Sequence, residues 1–206
     1  MTRRVLQLLI GLPLYGFGCG LMIDAGLGVD PWTVFAEGLA LRTGIGVGWI
    51  TNIVGLLVLL LWIPLRQRPG IGTLLNVLLV GTAIQATVTV IPPVHGLVLQ
   101  VLLLLAGVVV VAVASGLYIG ARFGPGPRDG LMTGMHARLG WPIWVARLVV
   151  EVTVLITGWL LGGTVGIGTV VFALGIGPLV HVALPLFDTA RTRGPGRIPA
   201  ARAETA

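Results

Sequence analysis

Lysine is absent from this chain, cysteine occurs once, and only 10% of the 206 residues are charged. Each shortage excludes something. The lone Cys19 rules out an internal disulfide and any multi-cysteine metal site. A soluble domain carries about 25% charged residues, so this chain cannot clothe itself in a wetted surface. Aromatic residues make up only 6%. No basic face with interleaved aromatics lies outside the apolar runs, so the net charge of +6 does not point to nucleic acid. There is no phosphate loop with its Gly-Lys-Ser/Thr, no HExxH zinc pair and no nucleophile elbow. The three histidines are scattered over separate segments. We expect no enzyme activity, no cofactor and no metal.

What the chain has in abundance is apolar length. Hydrophobic residues make up 56% of it, and about 20 apolar residues in a row suffice to cross roughly 30 Å of hydrocarbon. Six runs qualify: 5–23, 47–65, 71–92, 96–121, 141–161 and 165–187, and all but the fifth lack Asp, Glu, Lys and Arg. The start MTRR before an apolar run resembles a signal peptide, and GFGC a lipoprotein signal. Gly16, three residues before Cys19, stands where leucine is expected, and the first run has an internal partner. We read it as part of the fold.

That partner emerges on shifting the chain against itself by 96 residues. Gly20, Leu21, Ile23, Ala25, Gly28, Pro31, Gly38, Arg42 and Gly44 fall on Gly116, Leu117, Ile119, Ala121, Gly124, Pro127, Gly134, Arg138 and Gly140. Nine identities in the first 25 positions exceed the roughly two or three expected by chance in so glycine-rich a chain. Further on, GIGT at 70–73 falls on GIGT at 166–169. Each half holds three runs, an odd number, so the second half enters the membrane upside down.

Arginine placement gives an independent reading through the positive-inside bias of short loops. With the N-terminus inside, Arg3, Arg4, Arg66, Arg68, Arg122, Arg128, Arg138, Arg191, Arg193, Arg197 and Arg202 are cytoplasmic and only Arg42 is outside. The fold class expected is all-α: a polytopic membrane protein of six transmembrane helices, as two inverted three-helix repeats with a short Gly/Pro-started helix in each half. Residues 1–92 and 93–187 form the repeats, divided near the proline pair of IPPVHG. Residues 188–206 form a basic cytoplasmic tail without apolar period, expected to be disordered.

Two loops stand out as candidates for function. RFGPGPRDGLM at 122–132 is polar amid Leu, Val and Ile, and GLGVDPWTVF at 26–35 is its diluted copy. In the first half Asp30 can cap a helix that begins with Pro31; Gly126–Pro127 repeats the pattern with a weaker cap. About a dozen residues follow each before Gly44 and Gly140, a helix of roughly 18 Å. Inverted-repeat transporters aim such half-helices at an anionic substrate near the midplane. Equally, both could lie flat at the interfaces, with Trp32 and Phe35 in the headgroup layer. On the first alternative, Gly126–Pro127 and Arg128 make an inward-facing, anion-attracting mouth, and Asp30–Pro31 a less attractive outer one. Arg128 and Asp129 have no charged equivalents in the first half.

The fifth run adds Arg147 and Glu151, four apart and so on one helix face, with Glu151 about 15 Å deep. Ionisable groups at such depth usually face a protein interior or a wet cavity. Thr51, Asn52 and Asn76 are plausible companions, and His181 is read as a packing residue. The substrate-path candidates are therefore Asp30, Asn52, Asn76, Arg128, Asp129, Arg147 and Glu151. Glycines at four-residue spacing, such as Gly16 and Gly20, let helices approach closely.

At GPGPRDGLMTG, GGTVGIGT and FALGIGPLVH the chain resembles the YczE-like proteins, related to the wider YitT group of bacterial integral membrane proteins. The resemblance covers everything but the tail. It implies a multi-span inner-membrane protein without an assigned activity, and it carries no site residues over. Two functions stay open: a small secondary transporter or permease, and a non-catalytic scaffold or accessory protein binding partner helices. The partners expected are the lipid bilayer, a small anionic solute for the former, and a second copy or a partner membrane protein for the latter, with no nucleic acid.

Overall fold

A computed structural model describes residues 1–189; the expected disordered tail lies, from residue 190 on, outside the described residues. Eight helices and no strand occur among these residues: α1 (Thr2–Ala25), α2 (Pro31–Thr43), α3 (Val47–Leu65), α4 (Ile71–Val90), α5 (Leu97–Gly120), α6 (Pro127–Leu139), α7 (Ile143–Leu160) and α8 (Ile167–Phe187). Six of them, all but α2 and α6, are long and apolar enough to cross a membrane. This is a polytopic helical membrane protein.

The centre of the bundle is the α1–α5 pair, flanked by α4 on α1 and by α8 on α5. Small residues set the α1–α5 distance. A Cβ added at Gly18 would lie 3.0 Å from the Gly107 carbonyl oxygen, and one at Gly107 would lie 2.8 Å from that of Gly18. Lipid tails offer helices no hydrophobic drive to associate, so this close backbone packing must supply it. Leu12, Met22 and Val111 fill the seam, essentially without exposure.

The short helices bury their first turns and leave their last turns exposed. α2 packs on α7 and α3, and α6 on α3 and α7. Asp30 is 2% exposed, and Pro31, Thr33, Val34 and Ala36 are buried. Trp32 and Phe35, which the interfacial alternative turned to the headgroups, pack against the Ile50–Trp62–Leu131 cluster. Glycine makes both seats possible. The Trp62 ring of α3 lies over Gly130, where a Cβ would come within 1.9 Å of the indole, while a Cβ at Gly158 of α7 would meet the Phe35 backbone of α2 at 2.5 Å. Both short helices end in left-handed glycines, Gly44 and Gly140. Glu37 of α2 accepts the Thr164 N–H at 2.8 Å; burial holds its carboxyl above the ordinary value, and that amide offsets only part of the rise.

The two GIGT motifs are the sockets for the two loops. The Gly72 N–H donates to the Phe123 carbonyl at 3.0 Å, and the Gly168 N–H to that of Leu27 at 2.8 Å. Cβ atoms at Gly70 and Gly166 would stand 2.2 and 2.4 Å from those same carbonyl oxygens, so only glycine admits the loops. The Thr73 hydroxyl accepts the Gly70 N–H and donates to the Pro125 carbonyl, while Thr169 accepts from Gly166. Gly28 (φ 103°) and Gly124 (φ 120°) turn the loops through a region closed to most side chains.

Candidate functional site

With the loops seated in this way, α2 and α6 begin at the same place. A cavity of about 90 Å³ is lined by Tyr15 and Cys19 of α1, Asp30, Trp32 and Thr33 at the start of α2, Thr51 of α3, Asn76 of α4, Tyr118 of α5, and Gly126, Pro127 and Arg128 at the start of α6. Arg128 stands 3.8 Å from Asp30 across the molecule. The expected pair of mouths on opposite faces is therefore replaced by one site that both helix starts share.

The two starts differ in chemistry. At α2 the Asp30 carboxylate accepts from the Trp32 and Thr33 amides at 3.2 and 3.4 Å and from the Thr33 hydroxyl, closing that helix end with its own negative charge. At α6 the N-cap is Gly126, which has no side chain to cap with. Arg128 donates instead to the Tyr15 hydroxyl and lies 5.6 Å from the centre of its ring. Tyr118, edge-on to Tyr15 at 6.0 Å, donates to Asp129 at 3.3 Å. The Trp62 indole N–H donates to the Pro127 carbonyl at 3.0 Å and fixes the start of α6. The Trp32 indole N–H is buried on the cavity wall without a hydrogen-bond partner among the described residues.

Tyr118 and Arg128 also line a second, wider space of about 950 Å³, which continues past Asp129, Arg122 and Arg147 to Ile176, Val180 and His181 of α8. These two side chains are thus the partition between a small cavity and a large groove. At one end of the groove, Arg122 just after α5 holds Asp188 just after α8 at 2.9 Å, and that carboxylate raises the guanidinium further above its ordinary value. Arg4 closes the same end, donating to the Ala121 and Arg122 carbonyls and covering the Phe123 ring.

Of the residues expected to line a path, Asp30, Asn76 and Arg128 meet in the cavity, and Asp129 stands behind Arg128 in the groove. Arg147 and Glu151 do pair, at 3.2 Å, but Arg147 faces the groove, 58% exposed, and does not reach the cavity. Asn52 lies between α3 and α4, donating to Thr82 at 3.2 Å. Sequence reading passed over Tyr15, Tyr118 and Trp62. The signal was scarcity: the chain has two tyrosines, each inside an apolar run, and both stand at this cavity.

An all-helical membrane bundle with two short helices whose starts meet at one cavity, of mainly apolar lining with a few polar groups, is the class that fold and site define. The chain belongs to a family of unknown function, DUF6198, whose model matches residues 2–185, and it is YczE-like. It is 39% identical over 182 residues to an uncharacterized protein of Haemophilus influenzae, covering 88% of this chain and 84% of that one. It is 33% identical over 177 residues to the uncharacterized membrane protein YczE of Bacillus subtilis, covering 85% and 82%. A third relative, the uncharacterized protein YyaS of Bacillus subtilis, is 25% identical over 183 residues, covering 87% and 91%. No solved structure matches the chain.

Proposed function

We propose that this protein is a small secondary permease of the bacterial inner membrane, built as two inverted three-span repeats, and that its cavity holds a small anionic solute. The observation that carries this reading is the inequality of the two helix starts at one cavity. A helix N-terminus presents about half a positive charge and bare amides that favour anions. Asp30 occupies the α2 start as a built-in carboxylate. The α6 start has no capping side chain at Gly126. Its first-turn carboxylate, Asp129, accepts from Tyr118 rather than from the helix amides. With Arg128 beside it, this start is the one left for an anion that comes and goes. The Trp32 indole and the Asn76 amide add donors on the same wall. A water needs about 10–15 Å³ of such space, so about 90 Å³ suits a solute of a few non-hydrogen atoms.

The repeat reading draws support from position. The 96-residue offset relates Gly28 to Gly124, Pro31 to Pro127, Gly44 to Gly140 and one GIGT socket to the other, and α2 docks on α7 as α6 docks on α3. Transporters with inverted repeats bind substrate between the halves near the midplane, at broken or half helices. The arginine distribution puts both termini in the cytoplasm. Binding and release suffice for this role without catalysis. In the absence of an ATPase motif, an ion gradient or a separate subunit would drive it.

Cys19, the only thiol and a cavity wall residue, is the natural reporter. The full chain in sealed vesicles should be alkylated at Cys19 by N-ethylmaleimide. Membrane-impermeant thiol reagents should reach it from either side, because alternating access opens the cavity both ways. Formate, acetate, nitrate and phosphate, tested against gluconate, should include at least one anion that slows labelling in the native chain but not in Arg128→Gln. A thiol closed to reagents from both sides would end the permease reading in favour of a scaffold that binds partner helices.

A further inference from the structure

The wide groove breaks the likeness of the two halves. α3 and α4 pack together, but their counterparts α7 and α8 make no substantial contact; α7 leans on α2 and α6, and α8 mainly on α5, with Gln7 of α1 donating to its Phe187 carbonyl. α7 and α8 are the two spans least covered by the rest of the bundle, so the gap between them is the side on which lipid can reach the groove. We infer that an anionic phospholipid of the adjacent leaflet, phosphatidylglycerol, sits in this gap, with its phosphodiester at Arg147 and Arg122 and an acyl chain along α8. This goes beyond the permease reading and does not depend on it.

Polarity along the groove follows that of a leaflet lipid. Arg122 and Asp188 mark where α5 and α8 end together. Arg147 is four residues into α7, about 6 Å from its start, and His181 is six residues from the end of α8, about 9 Å. Ile176 and Gly177 lie about 15 Å from that end, where hydrocarbon would be. Charged side chains open to lipid are costly, yet Arg147 is 58% exposed on a membrane-spanning helix. It donates only its Nε–H to Glu151, one of five N–H groups on a guanidinium. The groove wall carries Arg122, Arg128 and Arg147 with Asp129. Each arginine also faces a carboxylate, Asp188, Asp30 and Glu151 in turn, but Arg122 gives two of its five N–H groups to that partner and Arg147 one. Basic pockets between spanning helices on the cytoplasmic side are where anionic headgroups bind, and the arginine count puts this end of the bundle there. A cleft of about 950 Å³ also suits an inserted chain better than the flat face of a second subunit would.

Native mass spectrometry of the full chain, purified into detergent and offered phosphatidylglycerol or phosphatidylcholine in turn, tests this. One phosphatidylglycerol should be retained in preference to phosphatidylcholine. Arg147→Gln should lower that preference about fivefold, the ratio for about 1 kcal/mol per surface arginine. Gly177→Trp should abolish it: nothing lies within 4 Å of a Cβ at Gly177, so the indole can occupy the gap without disturbing the fold. Phosphate at tens of millimolar should not displace the lipid. Equal retention of the two lipids, retention undiminished by Gly177→Trp, displacement by free phosphate, or a lipid-free dimer would each overturn the assignment.

Discussion

Arg128 stands 3.8 Å from Asp30, and this one pair ties together the starts of the two short helices. Asp30 is 4% exposed at its side chain and Arg128 24%, so neither charge is well hydrated. Losing one partner strands the other, at a cost of about 3–5 kcal/mol for a buried pair. Asp30→Asn keeps a capping oxygen while deleting the charge, and Arg128→Gln deletes its partner. Each alone should lower the thermal midpoint of the detergent-purified protein, followed by tryptophan fluorescence, and the double variant should recover part of the loss. Strict additivity would show that the two charges do not interact.

Trp62 and Gly130 make a second test, of packing rather than charge. A methyl group at Gly130 would overlap the indole, at 1.9 and 2.3 Å from two of its carbons, and would push the ring off the Pro127 carbonyl. Gly130→Ala should therefore cost about 1–3 kcal/mol as an overpacked site. Trp62→Phe removes the indole N–H and strands a buried carbonyl, at about 1–3 kcal/mol. Combining Gly130→Ala with Trp62→Leu should cost less than the sum of the two single changes, because the smaller side chain vacates the overlap. A double variant as unstable as that sum predicts would mean the glycine serves something other than the tryptophan.

The helices were legible in the sequence because bilayer thickness imposes long apolar runs, and the starts of α2 and α6 because Asp30–Pro31 and Gly126–Pro127 are local signals. Where those starts point was not legible. It depends on the loops seating in the GIGT motifs of helices far along the chain, through bonds such as Gly72 N–H to Phe123 and Gly168 N–H to Leu27. Those glycines carry no side chain to announce the contact. Arg147 and Glu151 were read correctly as partners from their spacing, but spacing within one helix says nothing of which way its face turns. Tyr15 hid among apolar neighbours, since its hydroxyl matters only once Arg128 arrives from the other half.

That turn of the face changes what the Arg147–Glu151 pair should do. With Arg147 58% and Glu151 31% exposed, neither charge is sealed between packed helices, so water or a headgroup can reach whichever one is left alone and the coupling should fall well below that of a buried pair. Glu151→Gln and Arg147→Gln should each shift the thermal midpoint little, and far less than Asp30→Asn does. A large loss for either one alone, rescued by the double change, would place the pair in a dry interface instead.

The orientation of the bundle can be read with two single thiols. His95 lies in the exposed turn between α4 and α5, and Arg68 in the exposed loop between α3 and α4. One apolar helix, α4, separates them, so they must fall on opposite sides if α4 crosses. The positive-inside bias assigns Arg66 and Arg68 to the cytoplasm, and hence His95 to the outside. On a Cys19→Ala background, a membrane-impermeant maleimide added to intact cells should label His95→Cys and spare Arg68→Cys. Inverted vesicles should give the reverse. Gly70 and Phe123 meet at the loop socket, so a cysteine at Arg122, exposed beside Phe123, should follow Arg68→Cys. That third site decides the inverted arrangement, because α5 must then return the chain to the side from which α4 left. Labelling of the Arg122 and His95 positions from the same side would leave α5 short of a full crossing, and the two halves could not be inverted copies.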